Sequence, residues 1–167
     1  MTSTILFLCT GNSARSVMAG VALANRRPDL NIETAGTLTV AGLPISWRTR
    51  AALDDVGLPW PKHASRQAGH AQLEAADLVV ALAPEHVAWV RREHPQMSSR
   101  TATLIRLTKE LEPQSGSLRN RIDALGLESV ELETWEEVVD PGGGEVDTFI
   151  SCAREVVALI DRLAELL

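Results

Sequence analysis

A cysteine and an arginine six positions apart are the residues of this sequence best suited to chemistry. Cys9 follows a short apolar run at residues 5–8, and Arg15 comes just before a helical pattern that starts at Ser16. The loop between them therefore joins a buried strand to a helix. The N–H groups of such a loop, the positive end of the helix and the guanidinium together bind a tetrahedral oxyanion such as phosphate. Because the same field favours a thiolate, the spacing predicts a nucleophile at the floor of an anion site.

Length and composition are those of an ordinary globular chain with one domain, residues 1–167. The net charge of -6 argues against a nucleic-acid groove or a basic membrane face, because both need clustered Lys and Arg. No apolar run approaches the roughly 18 residues of a membrane-spanning helix, and no basic leader stands at the N-terminus, so we expect a cytoplasmic protein. The two cysteines, Cys9 and Cys152, are too few for a disulfide framework and too sparse for a zinc site. We expect no metal and no cofactor, since the loop itself supplies the positive charge that an oxyanion needs.

Hydrophobic patterns predict strands that alternate with helices. Apolar or β-prone runs mark strands at residues 5–8, 31–35, 77–82 and 101–107. Helical spacing marks helices at 16–25 and 46–56, from Pro84 onward and from Val146 to the C-terminus. Residues 112–140 are interpreted as a long excursion with one short helix near 118–125. This order predicts an α/β fold with a four-stranded parallel sheet and helices on both faces, and it places Cys9 at the carboxyl end of a strand, where such sheets bind ligands.

With these residues placed, the sequence resembles the low-molecular-weight protein tyrosine phosphatase family, which shares its fold with arsenate reductases and protein arginine phosphatases. Residues 9–16 match the family's Cys-x5-Arg-Ser loop. Four further segments follow in the family's order: Thr34-Ala-Gly-Thr37, His63-Ala-Ser-Arg66-Gln67, Ala76-Asp77-Leu-Val-Val and Val139-Asp140-Pro141. The resemblance covers nearly the whole chain and implies the family's three-layer fold.

The resemblance also implies a mechanism and a role for each matched residue. Cys9 attacks phosphorus to give a phosphocysteine, and Asp140 acts first as general acid and then as general base. Ser16 donates a hydrogen bond to the sulfur, and Asn12, Thr34 and His63 keep the loop in shape. The phosphate-binding residues are Thr10, Gly11, Asn12, Ser13, Ala14, Arg15 and Ser16. The expected partners are a phosphorylated protein or a small phosphomonoester, with phosphate or another oxyanion as product or inhibitor, and the chain is expected to be a monomer or a weak homodimer.

The walls of the predicted site leave the substrate open. The chain has no Tyr, three glycines follow Pro141 at 142–144, and residues 38–40 are aliphatic or hydroxyl side chains, so the usual aromatic walls for a phenyl ring are missing. Ser13 stands where protein arginine phosphatases carry a small hydroxyl residue, which makes phosphoarginine an alternative substrate. Arsenate reduction needs two further cysteines, and only Cys152 remains. A weakly catalytic phosphate-binding regulator is the last alternative.

The other polar and aromatic residues are given ordinary structural roles. Cys152 lies beside the apolar stripe of the last helix and is expected in the core. His70, His86 and His94 show no ligand spacing and are expected at the surface. The acidic residues in 131–137 are expected to form a solvated face, while Trp47 or Trp135 could line the pocket.

Overall fold

A parallel sheet of four strands in the order β2-β1-β3-β4 lies at the centre of the computed structural model, which describes residues 1–113 and 116–167. The strands are β1 (Thr4–Cys9), β2 (Asn31–Gly36), β3 (Leu78–Ala81) and β4 (Thr101–Thr103). The strand number and the parallel direction agree with the prediction. Gln114 and Ser115, which belong to the predicted excursion 112–140, lie outside the described residues.

Helices follow the strands in the predicted alternation. They are α1 (Arg15–Arg26), α2 (Trp47–Asp55), α3 (His70–Ala75), α4 (Pro84–Glu93), α5 (Leu104–Glu110), α6 (Leu118–Asp123) and α7 (Val146–Leu166). Short 3₁₀ turns occupy Pro95–Arg100, Leu127–Ser129 and Thr134–Glu136. The predicted short helix in the excursion is therefore present as α6. The sequence patterns did not single out α3.

The sheet separates two apolar layers, because side chains alternate between the faces of a strand. Ile5, Phe7 and Cys9 of β1 face the larger layer, which contains α1, α2, α5 and α7. Leu6 and Leu8 face the smaller layer, which contains α3 and α4. The three-layer α/β fold is confirmed, and this alternation places the Cys9 side chain on the α1 and α7 side.

The prediction of a strand over 101–107 was wrong beyond Thr103. The chain turns into α5 at Leu104, because the Thr103 hydroxyl accepts a hydrogen bond from the Arg106 N–H and caps the helix. Leu104 and Leu107 are then buried on one face at helical spacing. The β-prone residues before the cap suggested a longer strand than the capping threonine allows.

The predicted amphipathic C-terminal helix is confirmed as α7. Its buried side contacts α1, α2 and α5, and it includes Phe149, Val156 and Ile160. Within residues 1–113 and 116–167, no helix combines the length and the apolar character needed to cross a membrane.

Candidate active site

The phosphate loop, residues 9–16, leaves the carboxyl end of β1 and runs directly into α1. Its path depends on Gly36, which pairs with Cys9 across the two strands. A Cβ atom at Gly36 would lie 2.3 Å from the Thr10 carbonyl oxygen, so a larger residue would push the loop away. Asn12 lies within the loop in the left-handed region, with φ of 52°. Asparagine tolerates this conformation better than most residues, so it fits the bend.

The carbonyl groups of the phosphate loop are held by donors from outside it. The N–H groups of Thr37 and Leu38 donate to the carbonyls of Cys9 and Thr10, respectively. Both His63 Nε2 and Ser65 Oγ donate to the Asn12 carbonyl. Thr49 Oγ1 donates to the Ser13 carbonyl. Among the described residues, the amides of Gly11, Ser13 and Ala14 find no acceptor, and the first turn of α1 has neither a capping side chain nor an acid. Free N–H groups and a bare helix N-terminus form an anion-binding cradle.

The Cys9 sulfur, at the first residue of this loop, contacts the side chain of Ser16 at its end. Cys9 Sγ and Ser16 Oγ are 3.0 Å apart, and both residues are buried. Asn12 Nδ2 donates to the same Ser16 oxygen at 2.9 Å. Because that bond occupies a lone pair of Ser16, the serine hydrogen is free to point at the sulfur when it is a thiolate.

The Arg15 guanidinium is buried and is held on one side by backbone. Its Nη1 donates to the Val138 carbonyl at 3.0 Å, and only 2% of its side chain is exposed. Its Nη2 lies 3.5 Å from Thr10 Oγ1 and 3.4 Å from Asp140 Oδ2. The guanidinium is therefore fixed through Nη1, while Nη2 faces the side from which an anion would approach.

Asp140 begins the acid loop, residues 140–144, on the exposed side of Arg15. Its side chain is 56% exposed, and its Oδ1 accepts a hydrogen bond from the Gly142 N–H at 2.9 Å. A cavity of about 350 Å³ separates this loop from the phosphate loop, and both Ser13 and Asp140 line it. The structure thus brings Asp140 within 3.4 Å of Arg15, which lies 125 positions earlier in the sequence and shares the phosphate loop with Cys9.

The two predicted supporting residues outside the loop are placed differently. His63 Nε2 donates to the Asn12 carbonyl at 2.7 Å, so it contacts the loop directly. Thr34 lies in β2 with its methyl group near Gly20 of α1. Its link to the loop runs through Arg66, whose Nε donates to the Thr34 carbonyl and whose N–H donates to Asn12 Oδ1.

His86 was predicted at the surface, and this was wrong. Its side chain is 1% exposed, and its Nε2 lies 2.9 Å from Thr10 Oγ1. Burial, reinforced by the positive charge of Arg15 and opposed by Asp140, lowers the pKa of His86 to about 3. The signal that could have found it is its place just after the carboxyl end of β3, the strand beside β1.

The expectation of a solvated face over 131–137 was wrong for Glu136. This carboxylate is fully buried and accepts hydrogen bonds from Arg106 Nε and Thr103 Oγ1, each at 2.8 Å. Burial alone would raise the pKa of Glu136, but the hydrogen bond from Arg106 and further donors outweigh it and the pKa is lowered. Glu136 anchors the chain two residues before Val138, whose carbonyl binds Arg15.

The remaining reactive groups do not join the site. Cys152 is buried on α7 as predicted, and burial raises the pKa of its thiol to about 12. Trp135 lies beside Arg106 and Lys109, and Trp47 is half exposed beside Arg48. No group of three or more His, Cys, Asp or Glu side chains in residues 1–113 and 116–167 is arranged to hold a metal ion.

Comparison with known proteins gives relatives of the same size and fold. The chain is 29% identical over 162 residues to a protein-arginine-phosphatase of Geobacillus stearothermophilus, covering 96% of this chain and 93% of that protein. It is 35% identical over 120 residues to a low molecular weight protein-tyrosine-phosphatase of Streptomyces coelicolor, covering 68% and 71% of the two chains.

Solved structures extend the comparison. The YwlE arginine phosphatase from Geobacillus stearothermophilus superimposes with a TM-score of 0.77 at 27% identity, over 98% of this chain and 91% of that one. A low molecular weight protein tyrosine phosphatase from T. tengcongensis has the same fold, with a TM-score of 0.79 at 24% identity over 99% and 100% of the two chains. The sequence model of low molecular weight phosphotyrosine protein phosphatases matches residues 4–120. Through this match and the loop geometry, the chain belongs to the low molecular weight phosphotyrosine protein phosphatase family.

Proposed function

We propose that this cysteine-dependent phosphatase hydrolyses a phosphomonoester on a protein through Cys9. In the first step, a lone pair of the Cys9 thiolate forms a sulfur–phosphorus bond as the bond from phosphorus to the leaving oxygen breaks. Asp140, in its carboxylic acid form, gives its proton to that leaving oxygen. Arg15 and the loop amides bind the oxygens of the phosphoryl group and stabilise their charge in the transition state.

The second step returns the enzyme to its starting state. Asp140, now a carboxylate, takes a proton from water while the water oxygen bonds to phosphorus. The sulfur–phosphorus bond breaks, its electron pair returns to Cys9 as a thiolate, and phosphate leaves. Ser16 Oγ, 3.0 Å from the sulfur, stabilises the departing thiolate by a hydrogen bond.

One observation carries this proposal: the buried Cys9 sulfur and the buried Arg15 guanidinium belong to one loop, three of whose amides find no acceptor in residues 1–113 and 116–167, and Asp140 lies 3.4 Å from Arg15. A structural cysteine needs none of these groups. Two residues outside the loop support it in this proposal. Thr34 binds Arg66 through its carbonyl, and Arg66 binds Asn12. His63 donates directly to the Asn12 carbonyl.

The test is turnover of p-nitrophenyl phosphate with a metal chelator present. The parent is expected to be active and Cys9→Ser to lose at least about 10³-fold in kcat, because serine is a far poorer nucleophile than a thiolate. Cys152→Ser is the matched control and is expected to keep full activity. Full activity in Cys9→Ser would overturn the mechanism, and an inactive parent that still binds phosphate would favour the weakly catalytic regulator.

A second candidate substrate is protein phosphoarginine. The relative that covers 96% of this chain is named a protein-arginine-phosphatase. In this chain, Ser13 and the glycines at 142–144 line the cavity beside Asp140, together with the buried Phe149. The small residues of this wall leave room for a long flexible guanidinium side chain, and Phe149 supplies one aromatic face, whereas a phenyl ring favours aromatic neighbours on both of its faces.

Two peptides of one sequence, carrying phosphotyrosine or phosphoarginine, separate these substrates. Preference for phosphoarginine in kcat/KM would support the second candidate, and Ser13→Ile is then expected to shift preference towards phosphotyrosine while the control Ser13→Thr keeps it. Preference for phosphotyrosine in the parent would reject phosphoarginine. Arsenate reduction is not favoured, since Cys152 is buried and its raised pKa keeps it a thiol.

The proposed chemistry also bears on the cellular compartment and the partners of the enzyme. Cys9 must stay a free thiol, which a reducing compartment such as the cytoplasm provides. A phosphorylated protein is the expected partner, and inorganic phosphate is expected to inhibit competitively. We propose a monomer or weak homodimer, which sedimentation at two protein concentrations would test.

A further inference from the structure

His86 is a buried titratable side chain that the mechanism above does not use. It lies in the first turn of α4, after β3, and is 1% exposed. Its position beside the phosphate loop comes from the parallel pairing of β1 with β3, which brings the carboxyl ends of both strands to one edge.

The contact of His86 with the loop is a hydrogen bond to the residue after the nucleophile. Nε2 of His86 lies 2.9 Å from Thr10 Oγ1. The same Thr10 oxygen is 3.5 Å from Arg15 Nη2, the nitrogen that faces Asp140. Thr10 therefore stands between a buried imidazole and the guanidinium of the anion site.

The surroundings of His86 fix which nitrogen carries its proton. Among the residues that the structure describes, Nδ1 is buried and has no hydrogen-bond partner. A bare lone pair is tolerated there better than an unpaired N–H. Glu85 Oε1 lies 3.5 Å from Nε2 and favours the proton on that nitrogen. The charged groups around the ring are Glu85, Arg15 and Asp140, and burial with Arg15 keeps the ring neutral.

We propose that His86 is a positioning residue for phosphate binding, whose neutral Nε2–H donates to Thr10 Oγ1. Thr10 Oγ1 then accepts hydrogen bonds from His86 and from Arg15 Nη2, so its own hydrogen is free to be donated to another acceptor. A phosphoryl oxygen of the substrate, bound beside Arg15, is that acceptor. This inference rests on the proposed function of the loop and adds a residue of α4 to the determinants of substrate affinity.

The kinetic consequence is a loss of binding rather than of chemistry. An interaction made equally in the ground state and the transition state changes KM and leaves kcat in place. His86→Leu removes the donor while keeping the apolar volume. Loss of one hydrogen bond predicts KM for p-nitrophenyl phosphate, and the inhibition constant of phosphate, to rise about three- to tenfold. His86→Gln, whose side-chain amide can replace the Nε2–H, is expected to restore both to near the parent values.

One control variant and one double-mutant cycle separate this role from general packing. His70→Gln changes an exposed histidine at the start of α3 and is expected to leave KM and kcat unchanged. Thr10→Val is expected to raise KM as His86→Leu does, and the double variant is expected to be no worse than either single one. Additive losses in the double variant would show that His86 does not act through Thr10.

The tautomer of His86 gives a readout that does not depend on activity. Long-range ¹H–¹⁵N spectra of the parent between pH 5 and 8 are expected to show a neutral ring protonated on Nε2, and a ring protonated on Nδ1 or on both nitrogens overturns the proposal. An active parent whose KM is unchanged in His86→Leu overturns this inference alone. A parent that does not turn over p-nitrophenyl phosphate overturns the proposed function and this inference with it.

Discussion

The phosphate loop, residues 9–16, and the acid loop, residues 140–144, face each other across Arg15, but they are held in different ways. In the phosphate loop, Asn12 and Ser16 are fully buried, and donors from residues 37–38 just after β2, from α2 and from residues 63–65 hold the carbonyls from outside. In the acid loop, Asp140 is exposed, and its hydrogen bonds lie mainly within the loop, from Gly142 to Asp140 and from Gly144 to Pro141.

This difference follows from the two tasks. Charge stabilisation in the transition state requires donors that are already in place, so the loop that binds the anion is fixed by its surroundings. A general acid needs contact with water to exchange its proton and room for the leaving group, so an exposed loop suits it. Val138 links the two: its carbonyl binds Arg15, and its N–H donates to the Leu82 carbonyl.

Asp140→Asn is the largest expected effect and tests the exposed loop. The amide cannot give a proton to the leaving oxygen, so kcat is expected to fall about 10²–10⁴-fold. Because Asp140 is exposed, the free energy of unfolding is expected to stay close to that of the parent. The measurements are turnover and urea denaturation.

The leaving group sharpens this test. Phenyl phosphate has a more basic leaving oxygen than p-nitrophenyl phosphate, so it depends more on protonation and is expected to lose more activity in Asp140→Asn. Asp147→Asn, an exposed acid at the start of α7, is the control and should behave as the parent. Equal losses on the two substrates would contradict the acid role.

Glu136→Gln tests the buried anchor of the segment that leads into the acid loop. The substitution leaves the buried Arg106 without its full partner and is expected to lower the free energy of unfolding by about 2–4 kcal/mol. The pKa of Glu136 is lowered in the folded protein. The higher free energy of unfolding of the parent is therefore fully present above the usual carboxyl pKa, and it is lost as the pH falls through the lowered pKa of Glu136. Glu137→Gln, an exposed neighbour, is the control in chemical denaturation at pH 7. Equal stability of the two variants would show that the buried pair is not an anchor.

Asn12→Ala tests the fixed loop. It removes the hydrogen bonds to Ser16 Oγ and from the Arg66 N–H, and it leaves alanine at φ of 52°. Two hydrogen bonds and this strained conformation predict a loss of about 2–3 kcal/mol in the free energy of unfolding. Asn12→Gly loses the same bonds without the strain, so it should be about 1 kcal/mol more stable than Asn12→Ala. If glycine is no better than alanine in urea denaturation, the backbone conformation does not contribute.

The parts of the molecule that sequence could predict are those with local signals. The apolar run of β1 and the spacing of Cys9 and Arg15 lie within a dozen neighbouring residues, so pattern alone predicted the first strand and the loop that follows it. His86 and Glu136 could not be placed in this way. Their partners lie 76 and 30 positions away in sequence, at Thr10 and Arg106, and a polar residue on an amphipathic pattern is assigned to the surface unless such a distant partner is known.

His86→Gln gives the smallest expected effect and asks whether the fixed loop also limits stability in acid. The pKa of His86 is about 3 in the fold and that of an unfolded histidine is 6.5, so the unfolded chain binds the extra proton between these values. The contribution of His86 to the free energy of unfolding is therefore fully present above pH 6.5, and it falls by about 2 kcal/mol when the pH is lowered to 5. Since glutamine does not titrate, the drop in free energy of unfolding between pH 7 and pH 5 should be smaller in His86→Gln than in the parent by that amount. His70→Gln, at an exposed site, should keep the parent's drop. Identical drops in the parent and His86→Gln would mean that the ring takes up a proton in the folded state and that its neutral form does not hold Thr10.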